Sequence, residues 1–393
     1  MLRILMAHNR YVERGGEDQS TEVEAGLLRD YDNDVDLYIE DNRNISQIGM
    51  VRAGLETIWS SRVYRNIRER LKKKRYDVVH IQNFFPMISP AIYYAAKAEG
   101  VSVVQTLRNY RLLCSNAQLY RDHHFCEDCV RKPVPWPGVL HACYRNSPLA
   151  SAAVAGMISV HRTLRTWHKK VDIYIALTEF AKAKFIEGGL PEGKIIIKPN
   201  FVYPDPGIGD GMGGFALYVG RLSAEKGVKT LISAWEKIQG QLSLKIVGDG
   251  PLGPAVAQAA RQNPSIESLG RKDSREVAEL MQKAAFVVFP STLYEGMPRT
   301  IIESFAVGTP VIASNQGSMA DLISHGVNGL HFLTGDSEDL TRQIDWLTTH
   351  PQELNVMRAA ARADFEAKYG ASRNLELLLE IYRQATLQHG RKP

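Results

Sequence analysis

Strand-like apolar runs alternate with longer amphipathic segments, and this alternation starts twice along the chain. In one intervening segment, "KGVKTLISAWEKI", residues Val228, Leu231 and Trp235 follow the 3.6-residue period of a helix. Alternating strands and helices predict parallel sheets with helices on both faces. The strand-like runs are "LRILMA" (2–7), "DVDLYIE" (34–40), "YDVVHIQ" (76–82), "VSVVQT" (101–106), "DIYIAL" (172–177), "FALYV" (215–219), "LSLKIV" (242–247), "AFVVFP" (285–290) and "TPVIA" (309–313).

A segment rich in Gly and Pro, "PNFVYPDPGIGDGMGG" (199–214), separates the two series of strands and predicts a linker. We therefore expect an α/β protein with two Rossmann-like domains, at 1–200 and 214–369, joined by a linker at 201–213. Residues 370–393 are expected to form a helix that packs back on the N-terminal domain. Because parallel sheets bind ligands at the carboxyl ends of their strands, the two domains are expected to face each other across a ligand-binding cleft.

Composition and charge restrict the class of protein further. No apolar run reaches the roughly 18 residues of a membrane-spanning helix, and the first apolar run is too short for a secretory signal. These features predict a cytoplasmic protein. The net charge is +5, with +7 in residues 1–200 and −2 in residues 201–393. The first half therefore either faces an anionic partner or carries a solvated basic surface.

Two basic residues follow the first strand of the second series. In "LYVGRLSAEKG", Arg221 comes just past the strand and Lys226 lies near the start of the next helix. A helix N-terminus offers free N–H groups and the positive end of its dipole, so this pair could hold a diphosphate. A solvated loop would explain the same two residues.

The stretch "KIVGDGPLG" matches the dinucleotide fingerprint G-x-G-x-x-G. We do not favour dinucleotide binding, because the match closes a later strand of its domain and Pro251 and Pro254 interrupt the expected helix start. A tight glycine turn, with Gly250 beside a bound nucleotide, is the preferred interpretation.

Two glutamates bracket a Gly-Met-Pro turn in "STLYEGMPRTIIES" (291–304). Pro298 suits the first position of a helix, and Gly296 lets the backbone approach a ligand. Glu295 precedes this helix, whereas Glu303 lies in its second turn. Ionised carboxylates accept hydrogen bonds only, so carboxylates and cations in one cleft suit a ligand with both hydroxyls and phosphates, namely a nucleotide sugar.

The combination of "GRLSAEKG" and "YEGMPRTIIESFAVGTPVIAS" resembles the C-terminal lobe of glycosyltransferase family 4, whose members are retaining enzymes of the GT-B fold. The "GGED" stretch (15–18) resembles the glycine loop of the family's first strand. The resemblance implies an N-terminal acceptor-binding domain and a C-terminal donor-binding domain. It also implies transfer of a sugar from a nucleoside-diphosphate sugar to a hydroxyl of a glycan or lipid-linked acceptor, in cell-surface polysaccharide or lipopolysaccharide synthesis.

The same resemblance implies roles for individual residues. Arg221 and Lys226 would bind the donor diphosphate and stabilise the leaving group, Glu295 would contact the donor sugar, and Glu303 the ribose. Catalysis would require no metal ion or other cofactor, and no nucleic acid is expected as a partner. The catalytic set is Arg221, Lys226 and Glu295, and the donor-binding set is Gly15, Gly16, Arg221, Lys226, Gly250, Arg271, Lys272, Glu295, Gly296, Met297, Pro298, Arg299 and Glu303.

The chain departs from the family where many members carry a His close to the donor sugar. Here Arg108 stands at that place, and an arginine cannot accept a proton. Arg108, its neighbour Asn109 and His80 are the acceptor-side candidates, although His80 could equally be a packed histidine at a strand end. "DNDVD" (32–36) contains D-x-D twice, which we interpret as a turn entering a strand rather than a metal site.

Two other classes of function remain open. One is a GT-B enzyme of another reaction, such as a nucleotide-sugar epimerase or a sugar phosphorylase, although no pyridoxal-lysine motif is evident. The other is a nucleotide-sugar-binding subunit that has lost catalysis.

The segment "RVYRNIRERLKKKR" (62–75) predicts a basic amphipathic helix with Val63, Ile67 and Leu71 on one face. Such a helix could dock the protein peripherally on an anionic membrane surface. An ordinary surface helix that packs its apolar face on the sheet is the alternative.

The four cysteines fall within thirty residues, in the spacing C-x11-C-x2-C-x13-C. Cys126 and Cys129 form a C-x-x-C pair, and Cys114 and Cys143 could complete a tetrahedral site for structural zinc. Disulfides or free thiols are the alternatives, and a cytoplasmic location argues against disulfides.

Overall fold

The computed structural model describes residues 1–13, 15–238 and 242–390. The chain divides into two compact units. Unit 1 contains residues 1–121, 126–199 and 374–393, and unit 2 contains residues 122–125 and 200–373.

Unit 1 is built around a parallel sheet with the strand order β2-β1-β3-β4-β7-β8. Its central strands β3 and β4 are buried along their whole length, as expected for a parallel sheet covered on both faces. The elements up to β8 are β1 (Arg3–Arg10), α1 (Gly16–Asp30), β2 (Asp34–Asp41), α2 (Ile45–Ile48), α3 (Met50–Ile58), α4 (Ser61–Lys73), β3 (Val78–Asn83), α5 (Ala91–Ala98), β4 (Ser102–Leu107), β5 (Tyr120–Arg121), β6 (His124–Phe125), α6 (Trp136–Leu140), α7 (Pro148–Thr163), α8 (Thr166–Lys169), β7 (Ile173–Ala176), α9 (Glu179–Glu187) and β8 (Ile195–Ile197).

Unit 2 contains a second parallel sheet, in the order β11-β10-β9-β12-β13-β14. This is the strand order of a Rossmann fold. The elements from β9 onward are β9 (Phe215–Val219), α10 (Val228–Ile238), β10 (Ser243–Val247), α11 (Gly253–Gln262), β11 (Ile266–Gly270), α12 (Ser274–Lys283), β12 (Phe286–Phe289), α13 (Arg299–Ala306), β13 (Val311–Ser314), α14 (Gly317–Leu322), β14 (Gly329–Phe332), α15 (Ser337–Thr349), α16 (Pro351–Asp364) and α17 (Ala371–Gly390). Helix α17 belongs to unit 1 from Asn374 onward. The prediction of two parallel-sheet α/β domains is confirmed.

The segment at 201–213, predicted as a linker, is hydrogen-bonded to other parts of unit 2. The amide N–H groups of Gly209, Gly211 and Gly213 donate to the carbonyls of Val307, Gln282 and Lys283, at 2.9, 2.9 and 2.8 Å. The segment therefore forms part of the packed structure of this unit.

Helix α4 buries its apolar face in unit 1. Val63 and Ile67 are fully buried and Leu71 is 7% exposed. On the polar side, Arg62 pairs with Glu40 and Arg68 with Glu99, both at 2.6 Å. The basic residues that remain exposed in the helix or just after it are Arg65, Arg70, Lys72, Lys73 and Arg75. The apolar face is thus occupied by the core and unavailable for lipid, as in the alternative of an ordinary surface helix. Membrane docking through the exposed basic side chains stays a prediction.

Candidate functional site

The order of the strands in unit 2 reverses between β9 and β12. After β9 the chain moves to β10 and β11 on one side, whereas β12, β13 and β14 lie on the other. Such a topological switch point leaves a crevice at the carboxyl ends of the two central strands, where open α/β sheets bind ligands. Arg221 lies in the loop after β9, and the segment 291–298 follows β12. The two sequence motifs therefore meet at this edge of one sheet.

Lys226 and Glu295 form an ion pair at this edge, with Nζ 2.6 Å from Oε1. Ser291 donates its hydroxyl to the same carboxylate oxygen at 2.6 Å. The side chains of Lys226 and Glu295 are 25% and 14% exposed, so both remain accessible to a ligand. Because the lysine charge already meets a carboxylate, an incoming anion would compete with Glu295 for it.

Gly227 brings the Lys226 loop against the end of β12. It has a φ of 72°, and a Cβ at this position would lie 1.8 Å from the carbonyl oxygen of Pro290. Any other residue would force the two loops apart. The glycine that follows the lysine is therefore required by the close approach of two backbones, and this approach sets the Lys226–Glu295 distance.

The glycine turn after β10 supports the Arg221 loop. A Cβ on Gly248 would lie 1.8 Å from the carbonyl oxygen of Gly220, and one on Gly250 would lie 2.6 Å from that of Leu222. Leu222 also donates its amide N–H to the carbonyl of Asp249 at 2.7 Å. The fingerprint-like glycines are thus explained by the packing of one loop on another, which agrees with the preferred interpretation as a tight turn.

Helix α13 begins at Arg299 in this crevice, one residue later than the sequence suggested. Pro298 is the N-cap residue of this helix, and its ψ of 119° is extended. Arg299 pairs with Glu303 one turn further on, at 2.9 Å. Ser318 donates to the carbonyls of Glu295 and Gly296 at 2.7 and 2.9 Å, which fixes the turn before the helix.

Met297, the remaining residue of that turn, is buried and holds the turn through contacts with Asn200. Its sulfur accepts the amide N–H of Asn200 at 3.0 Å, and its carbonyl accepts the Asn200 side chain at 3.2 Å. Met297 is 6% exposed, so its contribution is to packing of the turn rather than to an open surface.

Two basic donor-site candidates lie on the loop after β11 and are more exposed. The guanidinium of Arg271 lies 3.8 Å from the carboxylate of Asp249, and both side chains are about two-thirds exposed, at 65% and 69%. Lys272 pairs with Glu276 at 2.9 Å. These weakly constrained side chains leave room for rearrangement around a ligand.

In unit 1, the loop after β1 carries the glycine motif. Gly15 precedes helix α1, which starts at Gly16, and its amide N–H donates to Asp18 at 2.9 Å. A Cβ at Gly15 would meet nothing within 4 Å. Packing within the protein therefore does not explain this glycine, which lies open at the carboxyl edge of the sheet.

Asn109 connects that loop to the end of β4. Its side-chain amide donates to Glu17 at 2.8 Å and to the hydroxyl of Tyr11 at 3.2 Å. Tyr11 in turn donates to Glu17 at 3.1 Å. Asn109 is partly exposed, so among the three acceptor-side candidates it combines a polar group with an open position.

His80 and Arg108 instead belong to a buried charged network. His80 is fully buried, with its ring nitrogens 2.8 Å from the hydroxyls of Tyr382 and Thr106. Arg108 is 8% exposed and donates to Gln82 at 2.8 Å. The structure favours the packed-histidine alternative for His80, since it presents no surface to a substrate.

Glu24 and Lys198 are the charged pair at the centre of this network, 2.8 Å apart. Burial lowers the pKa of His80 to about 4, with Glu24 opposing and Lys198 and Arg108 reinforcing the shift. Burial alone would raise the pKa of Glu24, but the neighbouring charges of Lys198, His80 and Arg108 outweigh it and lower the pKa to about 2. His80 is therefore neutral and Glu24 ionised at neutral pH.

The four cysteines lie together in unit 1 and are all reduced. Burial raises the pKa of the Cys129 thiol to about 12, and the other three cysteines add to the increase. Burial likewise raises the pKa of Cys126 and of Cys143. Over the described residues, no three His, Cys, Asp or Glu side chains are arranged so that they could hold a metal ion as they stand.

Two of the three D-x-D aspartates pair with a lysine of the protein itself. Lys74 contacts Asp34 at 2.8 Å and Asp36 at 2.9 Å, and Tyr76 also donates to Asp36. Asp32 lies in the turn before β2. This arrangement agrees with the interpretation of the motif as a turn entering a strand.

Several polar residues that support these sites were missed from the sequence. Ser291, Gln316 and Ser318 hold the turn that carries Glu295, and Glu24 and Lys198 form the buried pair of unit 1. Ser291 is adjacent to the glutamate motif and could have been noticed there. Glu24 and Lys198 are 174 residues apart, and no local pattern connects them.

Comparison with known proteins defines the class. Residues 40–205 match the family model "Glycosyltransferase Family 4", and residues 210–364 match the model "Glycosyl transferases group 1". Together the two matches cover most of the chain and correspond to its two units. The protein belongs to the family 4 type of glycosyltransferases with the GT-B fold.

Three similar proteins illustrate the range of this class. The uncharacterized glycosyltransferase MJ1178 of Methanocaldococcus jannaschii is 30% identical over 51% of this chain and 58% of its own length. The putative teichuronic acid biosynthesis glycosyltransferase TuaC of Bacillus subtilis is 35% identical over 44% of this chain and 42% of its own. The chain thus matches about half the length of these curated relatives. The crystal structure of Anabaena Alr3699/HepE with UDP-glucose shares the fold, with a TM-score of 0.69, 16% identity, and coverage of 97% of this chain and 99% of that one.

A helix that spans a membrane must be both long and apolar. None of the helices in the part of the chain that the structure describes is both long and apolar enough for this.

Proposed function

We propose that this protein is a retaining glycosyltransferase that moves a sugar from a nucleoside-diphosphate sugar to a hydroxyl of a glycan or lipid-linked acceptor. The transfer requires no metal ion and serves cell-surface polysaccharide synthesis. The protein works in the cytoplasm, at the inner face of the membrane.

The observation that carries the proposal is the cluster of charged groups at the switch point of unit 2. Arg221 and Lys226 provide cations beside the carboxyl ends of β9 and β12, and Glu295 and Glu303 provide hydrogen-bond acceptors in the same crevice. A nucleotide sugar offers the complementary groups, since its diphosphate needs cations and its hydroxyls need acceptors.

The geometry suggests how the donor reorganises this crevice. In the structure Lys226 is paired with Glu295, and Arg299 with Glu303. A diphosphate that takes over Lys226 releases the Glu295 carboxylate, which then accepts hydrogen bonds from the sugar hydroxyls. Donor binding therefore converts an internal ion pair into two ligand contacts.

The proposed reaction step is the front-face transfer that the resemblance to family 4 implies. The bond from the anomeric carbon to the phosphate oxygen breaks, and negative charge grows on the phosphate, where Arg221 and Lys226 stabilise it. The acceptor hydroxyl attacks from the same face and gives its proton to the departing phosphate. The new bond therefore has the anomeric configuration of the donor.

The named relatives support the substrate class. Alr3699/HepE has been crystallised with UDP, UDP and glucose, and UDP-glucose. TuaC is named for teichuronic acid biosynthesis, and WbpZ of Pseudomonas aeruginosa, 32% identical over 40% of this chain and 42% of its own, is named a D-rhamnosyltransferase. A nucleotide-sugar donor and a surface-polysaccharide product agree with these names.

A thermal-shift screen over nucleoside-diphosphate sugars tests the donor. A true donor at 100 times its dissociation constant adds about 2.7 kcal/mol to the free energy of unfolding of the unit that binds it. Lys283→Ala is the matched control for substitution of Lys226, because this exposed lysine ends α12 at the opposite edge of the same sheet. No stabilisation by any nucleoside-diphosphate sugar, with the lysine control behaving as wild type, would contradict the proposal.

Proton NMR of the product decides the reaction class. With the donor identified, we expect turnover that depends on an added acceptor, persists in EDTA and gives a product with the donor's anomeric configuration. Acceptor-independent change of the donor sugar would indicate an epimerase instead. Binding without turnover across a broad acceptor panel would favour the subunit that has lost catalysis.

Peripheral membrane association is proposed through the exposed basic side chains of α4. Each basic residue near an anionic surface contributes about 1 kcal/mol to binding. Sedimentation with phosphatidylglycerol vesicles should therefore exceed that with phosphatidylcholine vesicles, and the triple variant Arg65→Glu, Lys72→Glu, Lys73→Glu should abolish the difference. Equal sedimentation with both vesicle types by the wild type would remove this part of the proposal.

A further inference from the structure

The four cysteines come from three separate turns of unit 1. Cys114 lies after β4, Cys126 and Cys129 follow the β5–β6 hairpin, and Cys143 follows α6. Cys114 and Cys129 are 8% and 6% exposed, whereas Cys126 and Cys143 are partly exposed. These cysteines are separated along the chain but lie close together in the fold, as the contacts around Gly138 show.

Gly138 is the point at which three of these turns meet. The amide N–H of Cys143 donates to the carbonyl of Gly138 at 3.0 Å. A Cβ at Gly138 would lie 3.7 Å from the sulfur of Cys129 and 2.6 Å from the hydroxyl of Ser115, the residue after Cys114. Cys126 joins through the hairpin, since its amide N–H donates to Leu119 at 2.9 Å. The side chains of Cys114, Cys126 and Cys143 all lie close enough to that of Cys129 to interact with it electrostatically.

A buried hydroxyl without a partner lies in the same place. Ser115 is fully buried, and its Oγ makes no hydrogen bond to any residue that the structure describes. An unsatisfied buried hydroxyl costs free energy unless something accepts from it. Arg121 also lies beside the cluster, where its charge acts on Cys126 and Cys143. A hydroxyl donor and a guanidinium suit a group of thiolates, which accept hydrogen bonds and carry negative charge.

The chain around the cysteines has little regular structure to hold it. β5 and β6 have two residues each, and α6 has five. Non-glycine residues with positive φ, which cost conformational energy, are concentrated here: Ala117, Leu119, Asp122, His123, Ala142, Arg145 and Asn146. A segment of this kind needs a cross-link to keep one shape.

We propose that Cys114, Cys126, Cys129 and Cys143 bind one zinc ion as four thiolates. The site is structural and orders the segment between β4 and α7, and it takes no part in sugar transfer. The thiols are free in the structure and do not yet form a preformed metal site, so the sulfur atoms close up on the ion as it binds. The mutual proximity of all four favours one shared centre over two independent disulfides. Four thiolates in a tetrahedron select zinc among the common divalent ions.

Metal analysis of the full-length protein, purified in reducing buffer without added metal, tests the site. We expect about one zinc per chain, released when a mercurial reagent titrates the thiols. Replacement by Co²⁺ should give the intense visible bands of a tetrahedral site and a near-ultraviolet thiolate-to-cobalt band. This measurement on the wild-type chain does not depend on whether cysteine variants fold.

Variants add a second line of evidence. Cys126→Ser and Cys129→Ser should lose the zinc and the cobalt spectrum, whereas His123→Ala, which changes an exposed side chain of the same segment, should keep both. Four titratable thiols and no bound zinc or cobalt in folded protein would overturn the proposal. So would two disulfides, detected as thiols that appear only after reduction.

Discussion

Each unit has a lysine in the loop after a strand, paired with a glutamate, and the two pairs differ in burial. Lys198 and Glu24 of unit 1 lie 2.8 Å apart, with side chains 2% and 1% exposed. Lys226 and Glu295 of unit 2 lie 2.6 Å apart, with side chains 25% and 14% exposed. The distances hardly differ, so solvent access distinguishes a pair that holds the fold from one that a ligand can open.

The surroundings of the two pairs support this distinction. Lys198 also donates to Asn374 at 2.9 Å, and Glu24 accepts from Gln82, so both charges have further partners inside the core. Glu295 also accepts a hydrogen bond from the hydroxyl of Ser291, at 2.6 Å. A ligand cannot reach the buried pair, because both of its side chains are closed to solvent. In the partly exposed pair, Lys226 can exchange Glu295 for a phosphate group.

Breaking the buried pair should give the largest effect. Lys198→Met leaves the Glu24 carboxylate buried without its cation, which costs about 3–5 kcal/mol of unfolding free energy. Because a two-unit chain need not unfold in one step, hydrogen exchange should be followed separately for peptides from β3 and β10. We expect loss of protection in β3 and none in β10. The double variant Lys198→Met, Glu24→Gln should recover part of the loss, and an unaltered β3 in the single variant would refute the structural role.

Acid should also weaken this region of unit 1. The folded pKa of His80, about 4, is below its unfolded value of about 6.5, so the unfolded chain takes up a proton first as the pH falls. Stability is therefore lost between about pH 6.5 and 4, by on the order of 3 kcal/mol. Glu24, with a folded pKa of about 2, extends the loss below the range of His80. Hydrogen exchange of β3 at pH 6.5 and 4.5 measures the effect.

His80→Gln provides the control for this acid sensitivity. It removes the titrating ring and should flatten the dependence of β3 protection on pH, even if the variant is less stable at every pH. An equal pH dependence in wild type and variant would assign the sensitivity to other groups.

Opening the exposed pair should change catalysis more than stability. Lys226→Ala removes a cation that meets growing charge on the leaving phosphate, so turnover should fall about 100-fold, equivalent to about 2.7 kcal/mol in the activation free energy. The unfolding free energy should change by about 1 kcal/mol or less, because the pair is partly exposed. A raised donor KM with unchanged turnover would mean that Lys226 binds substrate and transition state equally.

Arg271 offers the smallest effect. Its contact with Asp249 is long, at 3.8 Å, and both side chains are mostly exposed. Arg271→Gln should leave the unfolding midpoint unchanged, while any change in donor affinity should depend on the base of the nucleotide. A stability loss comparable to that of Lys198→Met would contradict the conclusion that exposed charged side chains contribute little to the stability of the fold.

The sequence predicted the two-sheet fold because its main strands are apolar runs flanked by helical periodicity. Strands without that signal were missed, as β14 illustrates. It has four residues and starts at Gly329, where a Cβ would lie 2.2 Å from the carbonyl oxygen of Val311. The neighbouring strand thus requires a glycine at position 329, and no pattern within the β14 segment itself reveals this requirement.

The candidate site was predictable to the extent that its residues lie in short motifs. Arg221, Lys226, Glu295 and Glu303 could be chosen because each lies in or next to a recognisable strand or helix. The partners of these residues could not be chosen, since the Lys226–Glu295 pair joins positions 69 residues apart. Likewise, the burial of His80 depends on Tyr382, 302 residues later in the chain.

Helix α17 has a consequence for the order in which the protein is made. Its residues Asn374 and Tyr382 complete the hydrogen bonds of Lys198 and His80 in unit 1. A ribosome therefore synthesises residues 200–373 before it supplies the last partners of the unit that emerged first. Until then, the nascent unit 1 contains a lysine and a histidine with incomplete hydrogen bonding in its core.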